Sequence, residues 1–183
     1  MDKLILVRHS AAEGQHEDSP LSKSGVRQSQ ALATFLDHSS YKIDRIISSP
    51  FLRATETIKP YAENKGIEIE PDARLEERIL SREPLDDWEE TLEDSFLDPE
   101  FKICGGESSN EAKQRVASLL QELENDADHD TTLLVTHGNL LALMLQLFNV
   151  EIGFKEWKQI SNPDAYLVQK QGGDYIAERI WED

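Results

Sequence analysis

The chain has 183 residues, 38% hydrophobic and 30% charged, with 36 Asp and Glu against 19 Lys and Arg and a formal net charge of −17. This length suits one domain that buries roughly 70% of its unfolded surface, and the acidic balance argues against a nucleic-acid or anionic-membrane surface, which needs clustered Lys and Arg to displace counterions. The excess acid is read as solubilising, while the one cysteine, Cys104, excludes an intrachain disulfide and a cysteine metal cluster.

In chain order, "KLILVR" (3–8) is an apolar, branched run read as a fully buried strand, and it stops abruptly in Arg8, His9 and Ser10. The run is too short for a signal peptide, and no small-residue cleavage site follows it. No segment reaches the ~20 apolar residues of a bilayer span, "LLALMLQLF" (140–148) coming nearest, so a cytoplasmic protein is expected. "SGVRQSQALATFLD" (24–37) sets Leu32, Phe35 and Leu36 on one helical face. "DRIIS" (44–48) is a second strand. The helix after it is expected to take Ser49 as N-cap and Pro50 at its first position, to kink or break at Pro60, and to stop at Gly66.

A weaker strand lies near 67–70. Beyond Arg78, Leu85, Trp88, Leu92 and Phe96 recur at helical spacing among acids, predicting a helical insertion over 79–104 packed on the main sheet. Its acids lack the Gly and Asn positions of a calcium loop. In "SSNEAKQRVASLLQELEN" (108–125), Ser108 and Glu111 have capping-box spacing, and Ala112, Val116, Leu119, Leu120 and Leu123 form an apolar stripe. "TTLLVT" (131–136) is a strand, "GNLLALMLQLF" (138–148) a buried helix, and the tail a hairpin turning at Gly172 and Gly173. Strands alternating with helices imply an α/β protein: a three-layer α/β/α sandwich with a mainly parallel central sheet. A single domain is expected over 1–183, with 79–104 as a cap-like insertion.

Active sites of open α/β sheets gather at the carboxyl ends of the strands. Here one strand ends in Arg8 and His9, the next leads to Arg53 in the first turn of a helix, and a third ends in His137 ahead of Gly138 and a helix N-terminus. Taken singly, each is an ordinary polar residue at a strand end or helix start. Together they make an anion pocket in an acidic protein. Phosphate is the natural ligand, since Arg pairs bidentately with its oxygens and a helix N-terminus favours negative charge.

"LVRHS", "LSKSGVRQSQALATFL", "DRIISSPFLRATET", "LEER", "GGES" and "LLVTHG", in that order, resemble the histidine phosphatase superfamily, also called phosphoglycerate-mutase-like. The resemblance implies that His9 is a nucleophile that becomes phosphohistidine, and that Arg8, Arg53 and His137 hold the phosphoryl oxygens. It assigns the proton donor to Glu77 of "LEER", with Glu76 beside it, and lets Arg78 touch substrate as in the mutase branch. A neutral imidazole is a competent nucleophile. Two guanidiniums and a protonated His137 would stabilise three equatorial oxygens without a metal. Glu77 would protonate the leaving oxygen and then take a proton from water. No Mg²⁺ or Zn²⁺ spacing is present, so neither metal nor cofactor is expected.

The chain departs from the pattern in places. Ser10 stands where the family usually has Gly, and Gln15 where many members have Asn. The mutase continuation "ESxWN" is replaced by "AAEGQ", whereas "SPLSKSG" looks like the phosphatase branches. The expected activity is therefore a metal-independent phosphatase acting on a small phosphomonoester, or on a phosphohistidine protein, through phospho-His9. A phosphoglycerate-type mutase is one alternative. The other is a phosphate-binding or interaction module without turnover, which the retained Glu77 disfavours. The insertion is expected to roof the pocket, with Leu85, Trp88 and Phe96 either lining it or packing it onto the body, and to repel highly anionic substrates. A monomer or weak dimer is expected.

Overall fold

Strand β1 (Lys3–Arg8) is buried on both faces. Leu4 and Leu6 enter one core while Ile5 and Val7 enter the other, which is why its sequence reads as continuously apolar rather than alternating. The computed structural model describes residues 3–182, so the outermost positions of the expected 1–183 domain lie outside them. Around β1 stand β2 (Arg45–Ser48), β3 (Ile69–Pro71), β4 (Thr131–Thr136), β5 (Asp164–Gln171) and β6 (Asp174–Arg179). The sheet order is β3-β2-β4-β1-β5-β6. The first four strands run parallel; β5 is antiparallel to β1, and β6 to β5. Gly172 and Gly173 have φ of 63° and 106°, the two positive values that a two-residue type I′ hairpin turn needs.

Helices α1 (Lys23–His38) and α2 (Leu52–Lys65) cover one face, where Leu32, Leu36 and Ile58 meet Ile5, Val7, Leu133 and Val135. After α3 (Trp88–Leu97), helices α4 (Ser109–Glu124) and α5 (Gly138–Leu147) cover the other. There Val116, Leu119 and Leu141 meet Leu4, Leu6 and Leu134. The architecture is the expected three-layer α/β sandwich with a mainly parallel sheet. A short α6 (Phe154–Trp157) precedes β5. Among the described residues, no helix is long and apolar enough to cross a membrane.

Several local expectations are corrected. Helix α2 begins at Leu52 with Phe51 as its N-cap, not at Ser49 and Pro50; the Ser49 hydroxyl bonds His137 and accepts from Phe51 N–H at 3.3 Å, ahead of the helix. Pro60 lies inside an unbroken α2, whose buried Ala54, Ile58, Tyr61 and Ala62 hold it against the core. β3 sits about two residues later than expected, where Ile69, Glu70 and Pro71 pair with Ile46, Ile47 and Ser48. Within 79–104 the one helix is α3, and its rings meet α6, Trp88 on Trp157 at 6.4 Å and Phe96 on Phe154 at 6.3 Å, while Phe96 also packs against the core cluster that includes Leu4, Leu6 and Leu134 of the sheet. Trp88 and Phe96 thus pack the segment onto the body.

Candidate active site

The ladders continue one residue past the strand ends. His9 N–H donates to Thr136 O at 3.0 Å, and Ser49 N–H to Val135 O at 2.9 Å. His9, Ser49 and His137 are thereby brought level at the carboxyl edge of the sheet, and the two imidazole rings lie 5.0 Å apart. The site is deep: His9 is 8% exposed, Arg53 1% and His137 0%.

His9 is fixed from three sides. Its Nδ1 lies 2.7 Å from Ser10 O, a geometry that places the ring proton on Nδ1. Its Nε2 therefore carries the lone pair and accepts from Arg53 Nε at 3.3 Å. The Asn162 amide donates to His9 O at 2.7 Å, and Ser10 N–H donates to Thr57 Oγ1 at 2.8 Å. Burial drives the imidazole pKa down to about 3; the Ser10 bond opposes this, and the charges of Arg53 and Arg8 reinforce it. The ring is neutral at any ordinary pH. Ser10 keeps its place with a buried Oγ that finds no partner among the described residues.

Arg53 bridges His9 and the loop before α1, donating through Nη1 to His16 O at 2.8 Å and Gln15 O at 3.2 Å. Arg8 donates to the carbonyls of Ile160 and Ser161, which precede β5. Its guanidinium lies against the start of α5, where a β-carbon on Gly138 would stand 3.0 Å from it. Burial lowers the pKa of both arginines, and the Glu77 charge opposes the shift. His137 sits between the rings of His9 and Phe51, each at 5.0 Å, with Nε2 2.8 Å from Ser49 Oγ. Burial, then His9, Arg53, Arg8 and Arg115, push its pKa far down. Burial of the ring thus works against the protonated His137 expected from sequence. A bound phosphoryl dianion acts in the opposite direction.

Glu77 is held at the N-terminus of α5. Its Oε2 accepts from Asn139 N–H at 3.0 Å, and its Oε1 from Leu140 and Arg78 N–H, both at 2.9 Å. Its charge acts on Arg8 and Arg53, so it adjoins the cradle, and Oε2 keeps a lone pair open to a proton. Glu76 and Glu77 also line a cavity of about 370 Å³ facing the 102–107 loop.

Two of the predicted residues take other places. Gln15 has an exposed side chain and offers the cradle its carbonyl rather than its amide. Arg78 is 5% exposed, and its guanidinium donates to Glu107 O at 2.8 Å, Ser95 Oγ at 2.8 Å and Ser109 Oγ at 3.0 Å. Those bonds make it a structural tie and leave no fork for substrate. Sequence reasoning missed Ser49, Thr57 and Asn162; only the first two lie in a motif already singled out. Apart from the cradle, exposed His16, Glu17 and Asp18 bring one ligand atom each within 4.8 Å of one another.

A family model described as the histidine phosphatase superfamily (branch 1) matches residues 4–180. The probable phosphoglycerate mutase GpmB of Proteus mirabilis is 34% identical over 161 residues, 79% of this chain and 74% of its own. Phosphoserine phosphatase 1 of Hydrogenobacter thermophilus is 31% identical over 184 residues, covering 92% of this chain and 86% of its own. Among solved structures, a phosphoserine phosphatase mutant from Entamoeba histolytica in complex with phosphoserine superposes with a TM-score of 0.78. It is 22% identical and covers 98% of this chain and 96% of its own, a likeness of fold.

Proposed function

Because the chain belongs to the histidine phosphatase superfamily, branch 1, we propose that it is a phosphatase that hydrolyses a small phosphomonoester through a phosphohistidine at Nε2 of His9. The observation that carries this reading is the buried, neutral His9, its ring proton on Nδ1 and its Nε2 lone pair set beside Arg53.

Nε2 attacks phosphorus as the bond to the ester oxygen breaks, and Glu77, protonated at Oε2, gives that oxygen its proton. Water then attacks the phosphohistidine, Glu77 takes the water proton, and the P–N bond breaks to release phosphate and free His9. Positioning and charge neutralisation carry most of such a transfer. Arg8, Arg53 and the N-terminus of α5 supply the positive field in a site with little water, where each donor counts for more than in bulk solvent. His137 contributes a hydrogen bond to the phosphoryl group from a ring held in place by Ser49.

Phosphoserine is the first substrate to test, given the Hydrogenobacter relative, with other small phosphoesters and protein phosphohistidine next. The unpaired Cys104 fits a reducing, cytoplasmic setting. Mixing the protein with ³²P-phosphoserine or p-nitrophenyl phosphate and quenching in alkali should trap an acid-labile phosphoenzyme. His9→Ala should trap none and lose about a thousandfold or more in turnover. Retained turnover in that variant overturns the mechanism. The similarity to the Proteus mutase favours a second reading, isomerisation of 3-phosphoglycerate to the 2-isomer. With 3-phosphoglycerate as the substrate, isomer without released phosphate would select it.

A further inference from the structure

Glu77 follows a single 3₁₀ turn over Ala73–Leu75, whose own bonds run from Leu75 N–H to Asp72 O and from Glu76 N–H to Ala73 O. The carbonyls of Arg74, Leu75 and Glu76 are not used by that turn and take partners from elsewhere. All three are taken by side chains. Arg115 Nη1, from α4, donates to Arg74 O at 2.7 Å and Glu76 O at 3.1 Å. Thr136 Oγ1 donates to Leu75 O at 2.7 Å.

The Arg115 guanidinium is itself set by Glu107, in a bidentate pair with Nε to Oε1 at 2.8 Å and Nη2 to Oε2 at 2.8 Å. Glu107 is in turn fastened to the chain just after Glu77. Its N–H donates to Ile79 O at 2.7 Å, and its carbonyl accepts from Arg78 Nε at 2.8 Å. The pair therefore grips the backbone on both sides of Glu77, with Arg115 before it and Glu107 after it. The carboxyl between them has its oxygens aimed at the first amides of α5.

We infer that the Glu107–Arg115 pair is a positioning clasp that fixes the Glu77 carboxyl relative to the oxygen leaving phosphorus. This rests on the reading of Glu77 as the proton donor. Neither residue touches the reacting atoms; both act through Glu77. Proton transfer is sensitive to placement, and a displacement of about 1 Å can cost 10²-fold.

The test compares two substrates. Nitrophenolate leaves phosphorus without needing a proton, whereas the alkoxide of phenethyl phosphate does not. The quantity read is the ratio of kcat/KM for p-nitrophenyl phosphate to that for phenethyl phosphate. A general acid contributes about 10²-fold or more, so Glu77→Gln should raise the ratio by about that factor. Arg115→Lys and Glu107→Gln should raise it about tenfold, with circular dichroism matching the parent at the assay temperature. Should Arg115→Lys fail to fold, the near-isosteric Glu107→Gln carries the test. A clasp of purely structural value would slow both substrates alike. If Glu77→Gln raises the ratio while the folded clasp variants stay within about twofold of the parent, the clasp is overturned and the acid stands. If Glu77→Gln leaves the ratio unchanged, the acid reading falls and the clasp with it.

Discussion

His9 combines near-complete burial with a committed Nδ1 proton, and both properties can be measured. A ¹⁵N spectrum of the ring at pH 5 should show neutral imidazole protonated at Nδ1, and a cationic ring there contradicts the site as described. The same burial ties stability to pH. In the unfolded chain His9 takes a proton below its ordinary value of 6.5, but in the fold only near 3. Between those values the unfolded state binds more protons, so stability is whole above about pH 6.5 and falls steadily as acid is added. His137, shifted in the same direction, steepens the loss. Urea midpoints measured from pH 7 to pH 4 should drop, and His9→Gln should flatten the slope. What was readable in these residues was local: Arg8 beside His9, Arg53 three positions after Pro50, His137 before Gly138. Their supports were not readable, because Thr57, Ser49 and Asn162 reach partners 47, 88 and 153 residues away. Gln15 stood at a suggestive offset, but a loop decides which of its groups faces inward, and spacing alone does not specify a loop.

Helix α4 was legible down to its first turn. Ser108 Oγ accepts from Glu111 N–H at 3.1 Å, and Glu111 returns a bond to Ser108 N–H at 2.8 Å. Ser108→Ala should cost about 1 kcal/mol, seen as a melting temperature lower by about 2–4 °C for a domain of this size. Helix α5 is built differently. Its N-cap, His137, makes no capping bond, and the amides of Asn139 and Leu140 are satisfied by Glu77 from another segment. Nothing in the periodicity of 138–148 announces this borrowed cap. Ser49 differs for a related reason: its hydroxyl accepts from Phe51 N–H, short of the helix, and bonds the ring of His137 just past the neighbouring strand. Pro60 is carried inside the helix because the face buried along the core through Ala54, Ile58, Tyr61 and Ala62 offsets the ~3 kcal/mol that an interior proline costs.

Across the whole molecule the three layers followed from alternating patterns, but the strand order did not, since no local signal says that β4 inserts between β2 and β1. The charge of −17 sets a long-range field that opposes the approach of anionic substrates, while the cradle attracts them only at short range. Salt screens the first over about 10 Å at 0.1 M, so kcat/KM for a dianionic substrate should rise as NaCl is added from low ionic strength. A fall would mean that the local cations dominate the encounter. The tethers at the end of β1 bear on how the pocket comes into being. Arg8 and His9 are aimed by carbonyls and an amide at positions 160–162, some 150 residues later in the chain. A ribosome therefore releases His9 early and the groups that aim it late. Until that distal stretch emerges and docks, the growing polypeptide holds an imidazole without the bonds that set its direction.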